Sequence, residues 1–557
     1  MQAKAGTPNS PAAKPQRPKG ENFMPDKNEQ SEPLPPVPHI YPQGCCFKSL
    51  DEISGKRITV MGLGLNGGGE ACVRFFLKHG AYVVATDMKG EDDLKPTIDS
   101  LSNDSELDIS RLTYKLGGHD IADFENADCV IKNPGVKYDG NKYLAAAKNI
   151  ETDISLFLNF SKAPVIAVTG SKGKSSTVSA IYYGLKQSGF NAFLGGNITV
   201  SPLTFLEKTD ETTPVVLELS SWQLADLRGR KLLKPKISVI TKIVPDHQNF
   251  YHSMLAYVND KKLIYADQTK KDFAIFDFDS DPAADGGTLI ENWGDIFAKE
   301  CRATVLRYSK KALPAGILGV WQDKKGRGIA RLSREILDRL PQSDDGLEEI
   351  VLKDLIVPGK HMRTNVLNAA LVLRIMGVSA ERIAEVLGRW NGIEHRLEFF
   401  HEFKAGDTVY RFYNDSAATV PEAAAEAICA FNQGVIFLSG GTDKGLDLSP
   451  IGRAIENCGE PLKPLAIYLL QGSATDKIIS DFNAKRIRYN GPFTSVAEML
   501  SCLKKDILNS EKIQKSGGKQ TKKIVPVVFS PGATSFGMFK NEFDRGKQFK
   551  KNVLEMF

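Results

Sequence analysis

The chain has 557 residues, too many for a single hydrophobic core, and this length predicts about three domains. A hydrophobic content of 42% and a formal net charge of +5, with no concentrated basic face, give no argument for a nucleic-acid partner. No apolar run approaches a membrane span, the N-terminus lacks the pattern of a secretory signal, and the eight cysteines show no metal-ligand spacing. We therefore expect a cytoplasmic protein with reduced thiols and no membrane insertion.

The chain begins with a polar tail. Residues 1–46 are rich in Pro, Lys, Asn, Gln and Ser, and we expect them to be disordered because they cannot bury enough apolar surface to fold. After the tail, short β-branched strands alternate with amphipathic helices in three blocks, at 47–160, 161–396 and 397–557. This alternation predicts an α/β protein of three domains, the first and third Rossmann-like and the second built on a mainly parallel sheet.

The first block carries a glycine fingerprint between its first strand and helix. Gly62, Gly64 and Gly67 form a G-x-G-x-x-G pattern, and Asp87 ends the next strand. The pattern indicates that a phosphate or pyrophosphate could dock at the start of this helix. It does not by itself separate a nicotinamide or flavin dinucleotide from another diphosphate ligand.

The second block opens with the strand, glycine loop and helix start PVIAVTGSKGKSS. Glycines in such a loop let backbone N–H groups point at phosphate oxygens, Lys174 can reach the β- and γ-phosphates, and the Ser175 hydroxyl can bind Mg²⁺. The loop is a shorter form of the general phosphate loop, and it predicts binding of a nucleoside triphosphate. Its predicted binding residues are Gly170, Ser171, Lys172, Gly173, Lys174, Ser175 and Ser176.

Polar groups also follow the later strands of the second block. Asn197, Glu218, Asp246 and His247 each stand near the end of a predicted strand. The carboxyl ends of parallel strands share one edge of a sheet, so these groups are expected beside the phosphate loop. Carboxylate and imidazole ligands there are suited to hold Mg²⁺, which neutralises charge during phosphoryl transfer.

In combination these features resemble the Mur ligases. The resemblance extends over nearly all of the chain after the tail and rests on nine motifs: TGSKGKSS (169–176), GGNI (195–198), LELSSWQL (217–224), PDH (245–247), GKHMRTN (359–365), EHR (394–396), NDSAAT (414–419), GGTDKG (440–445) and SPGATSFGMFKNEFDRG (530–546). It implies an ATP-dependent amide ligase of peptidoglycan precursor synthesis that joins D-glutamate to UDP-N-acetylmuramoyl-L-alanine through an acyl phosphate. The central domain would then bind ATP, and the protein is expected to be a monomer.

The resemblance also implies roles for individual residues. The UDP part of the substrate would lie at Gly64, Leu65, Asn66 and Asp87, and Asn197 would lie near the substrate and metal. Two Mg²⁺ ions would be held by Glu218, His247, Ser175 and a carbamylated Lys261, and the nucleotide would contact Asn365, Arg396 and Asp415. The incoming glutamate would be held by Thr419, Lys444, Ser535 and Phe536. Lys174, Lys261, His247 and Arg396 are the expected catalytic residues. Lys262, next to Lys261, is the other position that the carbamylated lysine could occupy.

Three positions depart from the family pattern. Gln248 begins an unusual segment after PDH, Lys172 stands where Asn is common, and Ala417 replaces a lysine of the third domain. Because the family lysine is absent at Ala417, L-glutamate or a different amino acid remains an alternative to D-glutamate. Parts of the sequence are also compatible with a related Mur ligase that adds a later residue of the peptide stem, or with a folylpolyglutamate-type ligase. An oxidoreductase built on the glycine fingerprint and a non-catalytic nucleotide-binding protein are further alternatives.

Overall fold

The computed structural model describes residues 38–65, 67–198, 200–251, 253–279, 284–285, 288–289, 292–338, 340, 347–459, 461–514 and 523–557. Residues 40–557 form one unit that contains three main sheets, so the prediction of a three-domain α/β protein is confirmed. In the described parts of the chain, no helix is long and apolar enough to cross a membrane.

The first sheet has five strands, all parallel, in the order β3-β2-β1-β4-β5. Its strands are β1 (Arg57–Met61), β2 (Tyr82–Asp87), β3 (Leu112–Leu116), β4 (Cys129–Lys132) and β5 (Ile150–Glu151); its helices are α1 (Gly68–Lys78), α2 (Glu91–Ser102), α3 (Ile121–Glu125), α4 (Lys142–Ala146) and α5 (Asp153–Phe160), with 3-10 turns at Leu50–Ile53 and Ile109–Arg111. β1 lies in the middle, and four of its five residues are buried, as expected for a strand covered on both faces. The glycine fingerprint therefore follows the central strand.

The second sheet has nine strands in the order β16-β15-β14-β13-β10-β9-β6-β8-β7. The strands are β6 (Val165–Thr169), β7 (Phe193–Gly196), β8 (Val215–Glu218), β9 (Ile237–Ile240), β10 (Phe273–Asp277), β13 (Thr304–Ser309), β14 (Gly319–Gln322), β15 (Gly328–Arg331) and β16 (Glu348–Leu352), with a separate small ribbon of β11 (Ala284–Asp285) and β12 (Thr288–Leu289). The part from β7 to β14 is parallel, and β15 and β16 extend it antiparallel. The first four strands are those predicted, and their polar ends meet at one edge.

Eight helices accompany the second sheet in the described residues. They are α6 (Lys174–Gln187), α7 (Ser221–Ala225), α8 (Gln248–Tyr251), α9 (Met254–Lys262), α10 (Trp293–Glu300), α11 (Arg334–Leu337), α12 (Lys360–Ile375) and α13 (Ala380–Gly388), with a 3-10 helix at Pro202–Lys208. α6 and α12 share a buried core in which Val178 and Ile181 meet Val366 and Leu373. This packing brings the GKHMRTN motif at the start of α12 to the phosphate loop.

The third sheet has six strands in the order β17-β18-β22-β19-β20-β21. Its elements are β17 (Glu398–Ala405), β18 (Thr408–Asn414), α14 (Pro421–Cys429), β19 (Ile436–Gly440), α15 (Ser449–Asn457), β20 (Ala466–Leu470), α16 (Ser473–Ala484), β21 (Asn490–Phe493), α17 (Val496–Gln514), β22 (Lys523–Phe529) and α18 (Glu542–Met556). The four predicted strands are β18, β19, β20 and β22. β17, which was not predicted, pairs antiparallel with β18 through a tight turn at Gly406, whose φ is +55°.

The described end of the predicted N-terminal tail is folded. Residues 1–37 lie outside the described residues, but Ile40 to Cys46 belong to the folded unit. Tyr41 is buried, its backbone N–H donates to the Arg228 carbonyl (2.9 Å), and its hydroxyl donates to Asp226 Oδ1 (3.2 Å). An aromatic side chain with a satisfied hydroxyl can anchor a polar segment whose composition alone indicates disorder.

Two buried ion pairs join the first and second domains. Lys132 Nζ lies 2.8 Å from Asp226 Oδ2, and Arg230 lies 2.9 Å from Glu151 Oε2, with all four side chains almost fully buried. The Arg230 guanidinium also stacks over the Tyr41 ring at 4.4 Å. The two domains and the Tyr41 segment therefore share one polar network in a water-poor interface.

Lys132→Met removes one charge of this network, and we expect it to lower the free energy of unfolding by about 3–5 kcal/mol, because it leaves Asp226 charged and buried without its partner. Urea-induced unfolding measures the change. Lys162→Met is the matched control: its pair with Glu211 is exposed, so the change should stay below about 1 kcal/mol. Equal effects of the two substitutions would contradict a stabilising role for the buried pair.

Candidate active site

The phosphate loop is closely packed between its neighbours. Gly170 has a φ of +144°, and a Cβ there would lie 1.9 Å from Thr241 Oγ1. Gly173 has a φ of +94°, and a Cβ there would lie 2.4 Å from Asn365 Oδ1. Both positions require glycine for conformation and for space. The loop therefore delivers the start of α6, with its unpaired first-turn N–H groups, to the carboxyl end of the sheet.

Two lysine amines meet at the Gly170 carbonyl oxygen. Lys174 Nζ donates to it at 3.0 Å and to the Ser171 carbonyl at 3.3 Å, while Lys261 Nζ, at the end of α9, donates to the Gly170 carbonyl at 3.0 Å. Burial lowers the pKa of Lys174. Burial, together with the nearby Lys174, lowers the pKa of Lys261 to about 7. Lys261 is therefore the amine of this pair that is easier to deprotonate.

Ser171 and Lys172 support the loop from within. The Ser171 hydroxyl donates to the Val244 carbonyl (2.8 Å) and accepts hydrogen bonds from the Val244 N–H (3.1 Å) and the Tyr257 hydroxyl (3.0 Å). The N–H groups of Ser171 and Lys172 both donate to the Lys242 carbonyl, at 3.0 and 3.3 Å. These bonds direct the two residues toward the β9 end, whereas Lys174, Ser175 and Ser176 lie in the first turn of α6, where N–H groups have no intrahelical partner.

A buried carboxylate stands beside the loop at the end of β8. Asn197 Nδ2 donates to Glu218 Oε1 at 3.0 Å, whereas Glu218 Oε2 is buried and has no hydrogen-bond partner among the described residues. A buried carboxylate oxygen without a partner is costly, and a bound cation would satisfy it. The arrangement fits the predicted Mg²⁺ ligand Glu218 and gives Asn197 the role of orienting it.

His247 differs from Glu218 in its surroundings. It is 45% exposed, its backbone φ is +52°, and its Nε2 lies 3.9 Å from Asp246 Oδ2. Its ring packs against Trp222 with a centroid distance of 5.1 Å. The Trp222 contact thus helps to hold the imidazole in the loop after β9, where the residue adopts a backbone conformation that L residues rarely take.

The glycine fingerprint of the first domain has its own carboxylate. Asp87 accepts hydrogen bonds from the N–H groups of Gly64 (3.0 Å, Oδ2) and Lys89 (2.9 Å, Oδ1), so it is held by the loop backbone. Leu65 is 48% exposed, and Asn66 lies outside the described residues. Asp87 therefore organises the loop that precedes α1.

A cavity of 330 Å³ connects the first two domains. Gly62 of the fingerprint and Gly68, the first residue of α1, line it on one side, and Asn197 and Trp222 line it on the other. The cavity leads from the candidate diphosphate site to the Asn197–Glu218 pair. A ligand with a diphosphate at one end and a reacting group at the other would fit such a passage.

The predicted groups of the third domain lie at the carboxyl end of its sheet. Asp415 accepts hydrogen bonds from the Ser530 hydroxyl (2.6 Å) and the Leu397 N–H (3.1 Å), and burial raises its pKa to about 7. Thr442 and Thr534 exchange backbone hydrogen bonds at 3.2 and 3.1 Å, which brings together the loops that carry Lys444 and Ser535. Ser535 is buried and Thr419 half-buried, whereas Arg396, Lys444 and Phe536 are exposed to solvent.

Four residues of the site escaped the sequence prediction. Thr241 and Tyr257 contact the phosphate loop. Asn368, one turn after Asn365 on α12, is buried with both amide atoms unpaired among the described residues. Arg545, also buried, donates to the carbonyls of Ala533 (2.9 Å) and Ser416 (2.8 Å) and so ties together two loops at the third sheet. The second asparagine of RTNVLN and the arginine of FDRG were visible in the sequence, but their burial was not.

A glycine loop leading into a helix at the edge of a largely parallel sheet defines the class of phosphate-loop α/β nucleotide-binding proteins. Residues 168–317 match the family described as Mur ligase middle domain, and residues 56–155 match Mur ligase MurD-like, N-terminal domain. The chain is 38% identical to UDP-N-acetylmuramoylalanine--D-glutamate ligase of Treponema pallidum (strain Nichols), over 91% of this chain and 98% of that protein. It is 37% identical to the ligase of the same name from Borreliella afzelii (strain PKo), over 90% and 99%.

Among solved structures, the chain is similar to UDP-N-acetylmuramate-alanine ligase MurC from Thermotoga maritima, with 15% identity, a TM-score of 0.48, and coverage of 90% of this chain and 99% of that chain. On the strength of its relatives, the chain belongs to the Mur ligase family, and it is an ATP-dependent ligase. The resemblance found in the sequence motifs is thereby confirmed.

Gly170→Ala places a methyl group against Thr241 in a backbone conformation that L residues rarely adopt, so we expect loss of ATP binding, by at least about tenfold, without global unfolding. Isothermal titration with ATP measures it. Gly189→Ala is the matched control, because Gly189 also has a positive φ (+90°) but has open space around its Cα. ATP affinity unchanged in Gly170→Ala would contradict the proposed position of the nucleotide.

Proposed function

We propose that this ligase joins D-glutamate to UDP-N-acetylmuramoyl-L-alanine, with ATP converted to ADP and phosphate, in the synthesis of peptidoglycan precursors. The observation that carries the proposal is the cavity between the glycine fingerprint and Asn197, because it suits a nucleotide-linked substrate whose carboxylate must reach the phosphate loop. The names of the relatives, which are similar over nearly their whole length, support the same substrate pair.

We assign the three blocks 47–160, 161–396 and 397–557 to the UDP-substrate, ATP and glutamate domains. UDP would be held by Gly64, Leu65, Asn66 and Asp87. The N–H groups at the start of α1 would face its diphosphate, as the helix terminus favours anions. This arrangement makes the fingerprint a diphosphate site and leaves no role for a nicotinamide.

Glu218, His247 and Ser175 would hold Mg²⁺, because the unpaired Glu218 Oε2 and a helix-start hydroxyl are oxygen donors of the kind that this ion prefers. Two ions are expected, the second supported by Lys261. The Mg²⁺ ions would neutralise the negative charge of the phosphates. The task left to Asn197 is to orient the Glu218 carboxylate.

The chemistry proceeds in two displacement steps. In the first, the alanyl carboxylate oxygen forms a bond to the γ-phosphorus of ATP while the bond to the β–γ bridging oxygen breaks, giving an acyl phosphate and ADP. In the second, the glutamate amine forms the C–N bond, loses a proton, and expels phosphate. Lys174 stabilises the negative charge of the transferring phosphoryl group, and Arg396 and Asp415 would reach the nucleotide when the third domain closes.

Lys261 is proposed to be carbamylated. A free amine adds CO₂ to give a carbamate and releases one proton, so only the deprotonated form reacts. An ordinary lysine is about 0.04% deprotonated at pH 7, whereas a pKa of about 7 makes that fraction about one half. Lys262 is the poorer candidate, because its Nζ pairs with Glu300 at 2.9 Å near the surface.

Thr419, Lys444, Ser535 and Phe536 would hold the incoming glutamate. Ala417 supplies no charge, and its N–H donates to the His395 carbonyl at 3.0 Å. Lys444 would then be the principal cation for the glutamate carboxylates. We propose that the enzyme works as a cytoplasmic monomer.

The test is ADP release from ATP, Mg²⁺ and UDP-N-acetylmuramoyl-L-alanine, with D-glutamate, L-glutamate or neither. We expect release that depends on D-glutamate, and a fall of at least about 100-fold in kcat for Lys174→Met, because this ammonium faces the transferring phosphate. Lys186→Met, an exposed position on the same helix, should retain full activity.

ADP release that requires L-glutamate would contradict the proposed use of D-glutamate. It would favour the altered third domain as the cause of the changed stereochemistry. Absence of release with either amino acid, while ATP still binds, would contradict the proposed substrate pair as a whole.

A further inference from the structure

Three thiols and a carboxylate gather where the Tyr41 segment meets the first domain. Cys45 and Cys46 follow Tyr41, Cys129 lies on β4, and Glu151 lies on β5. We call these four residues the cysteine cluster. The cluster is separate from the phosphate loop and from the cavity between the first two domains, and the ligase reaction does not use it.

The donor atoms of the cluster are close together. The ligand atoms of Cys45, Cys46 and Glu151 all lie within 4.8 Å of one another. The Cys129 thiol is near enough to interact with the Cys46 thiol, although it lies outside the group defined by this distance. In a tetrahedral zinc site with Zn–S bonds of about 2.3 Å, neighbouring sulfurs stand about 3.8 Å apart. The donors of Cys45, Cys46 and Glu151 therefore need to contract by only about 1 Å to surround an ion, and the Cys129 thiol has to move toward them to complete the set.

Glu151 is oriented as a metal-binding carboxylate would be. Its Oε2 accepts hydrogen bonds from Arg230 Nη1 (2.9 Å) and the Ser155 hydroxyl, while its Oε1 accepts one from the Cys46 N–H (3.0 Å). A carboxylate oxygen can accept two bonds, so Oε1 retains one lone pair for a ligand. In metal sites, the carboxylate oxygen that does not bind the metal usually accepts hydrogen bonds that fix the orientation of the ligand, as Oε2 does here.

We propose that Cys45, Cys46, Cys129 and Glu151 form a structural binding site for a zinc-class divalent cation. Three sulfurs and one carboxylate oxygen are a closed, four-coordinate donor set with no position left for a substrate, which is typical of structural rather than catalytic zinc. The guanidinium of Arg230 offsets part of the negative charge that three thiolates and a carboxylate bring. The ion would fasten the Tyr41 segment to β4 and β5, beside the contact with the second domain.

Cobalt gives a direct test in the full-length protein. Protein prepared with reductant and freed of metal is titrated with Co²⁺ and then with Zn²⁺, and the absorption spectrum is recorded. We expect a thiolate-to-cobalt charge-transfer band that saturates at about one equivalent and disappears when Zn²⁺ displaces Co²⁺, with a rise in melting temperature on zinc binding.

Cys46→Ser and Cys129→Ser should each weaken zinc binding by at least about tenfold, and the loss of the band should scale with the number of thiols removed. Cys502→Ser, a half-buried cysteine of the third domain, is the control and should leave stoichiometry and spectrum unchanged. Circular dichroism checks that the variants fold.

Three results would each overturn the proposal: no charge-transfer band in the folded wild-type protein, a band that survives in both Cys46→Ser and Cys129→Ser, or a disulfide within the cluster in protein prepared with reductant. Since the readout is metal binding and not turnover, failure of the ligase assay would leave this test unaffected.

Discussion

The active centre depends on the convergence of two lysine amines on one backbone carbonyl, that of Gly170. Lys174 comes from the helix after the loop and Lys261 from α9, and both Nζ atoms lie 3.0 Å from this oxygen. Two ammonium groups so close together in a buried site repel each other, and the repulsion adds to the cost of burial. The lower pKa of Lys261 follows from both effects, so that an amine that is easily deprotonated lies next to the Lys174 cation of the phosphate loop.

This convergence needs the surrounding packing. Gly170 can approach the β9 end only because it lacks a side chain, and Tyr257, one turn before Lys261 on α9, donates its hydroxyl to Ser171 in the same loop. The ring of Tyr257 also lies 4.5 Å from Lys261 Nζ. Loop, strand end and helix thus position one another. A change at any of them would alter the distance between the two amines.

Buried polar contacts also order the junction between the first and second domains. The first and second domains share buried ion pairs, and the Tyr41 segment joins the same network through Asp226 and Arg230. The cavity beside this interface leads toward Glu218. The buried ion pairs and the cavity therefore lie at the same domain interface.

The sequence predicted the fold class, the strands that carry the site and the phosphate loop, because these follow from short-range patterns: apolar runs, glycines and helix starts. It did not predict β17, whose pairing depends on a hairpin turn, or the burial of Tyr41, which depends on partners far along the chain. Thr241, Tyr257 and Asn368 were missed for the same reason. The cysteine cluster shows the limit most clearly, since Cys129 is remote from Cys45 and Cys46 in sequence and joins them only through the sheet.

The central claim is that the fold lowers the pKa of the Lys261 amine beside the phosphate loop, which favours the carbamylation that we propose. Carbon-13 NMR of the protein in labelled bicarbonate tests it directly, with Lys261→Arg and Lys262→Arg for comparison. We expect a carbamate signal that increases as the pH rises through about 7, is absent in Lys261→Arg and persists in Lys262→Arg. The same spectrum in wild type and Lys261→Arg would contradict the claim.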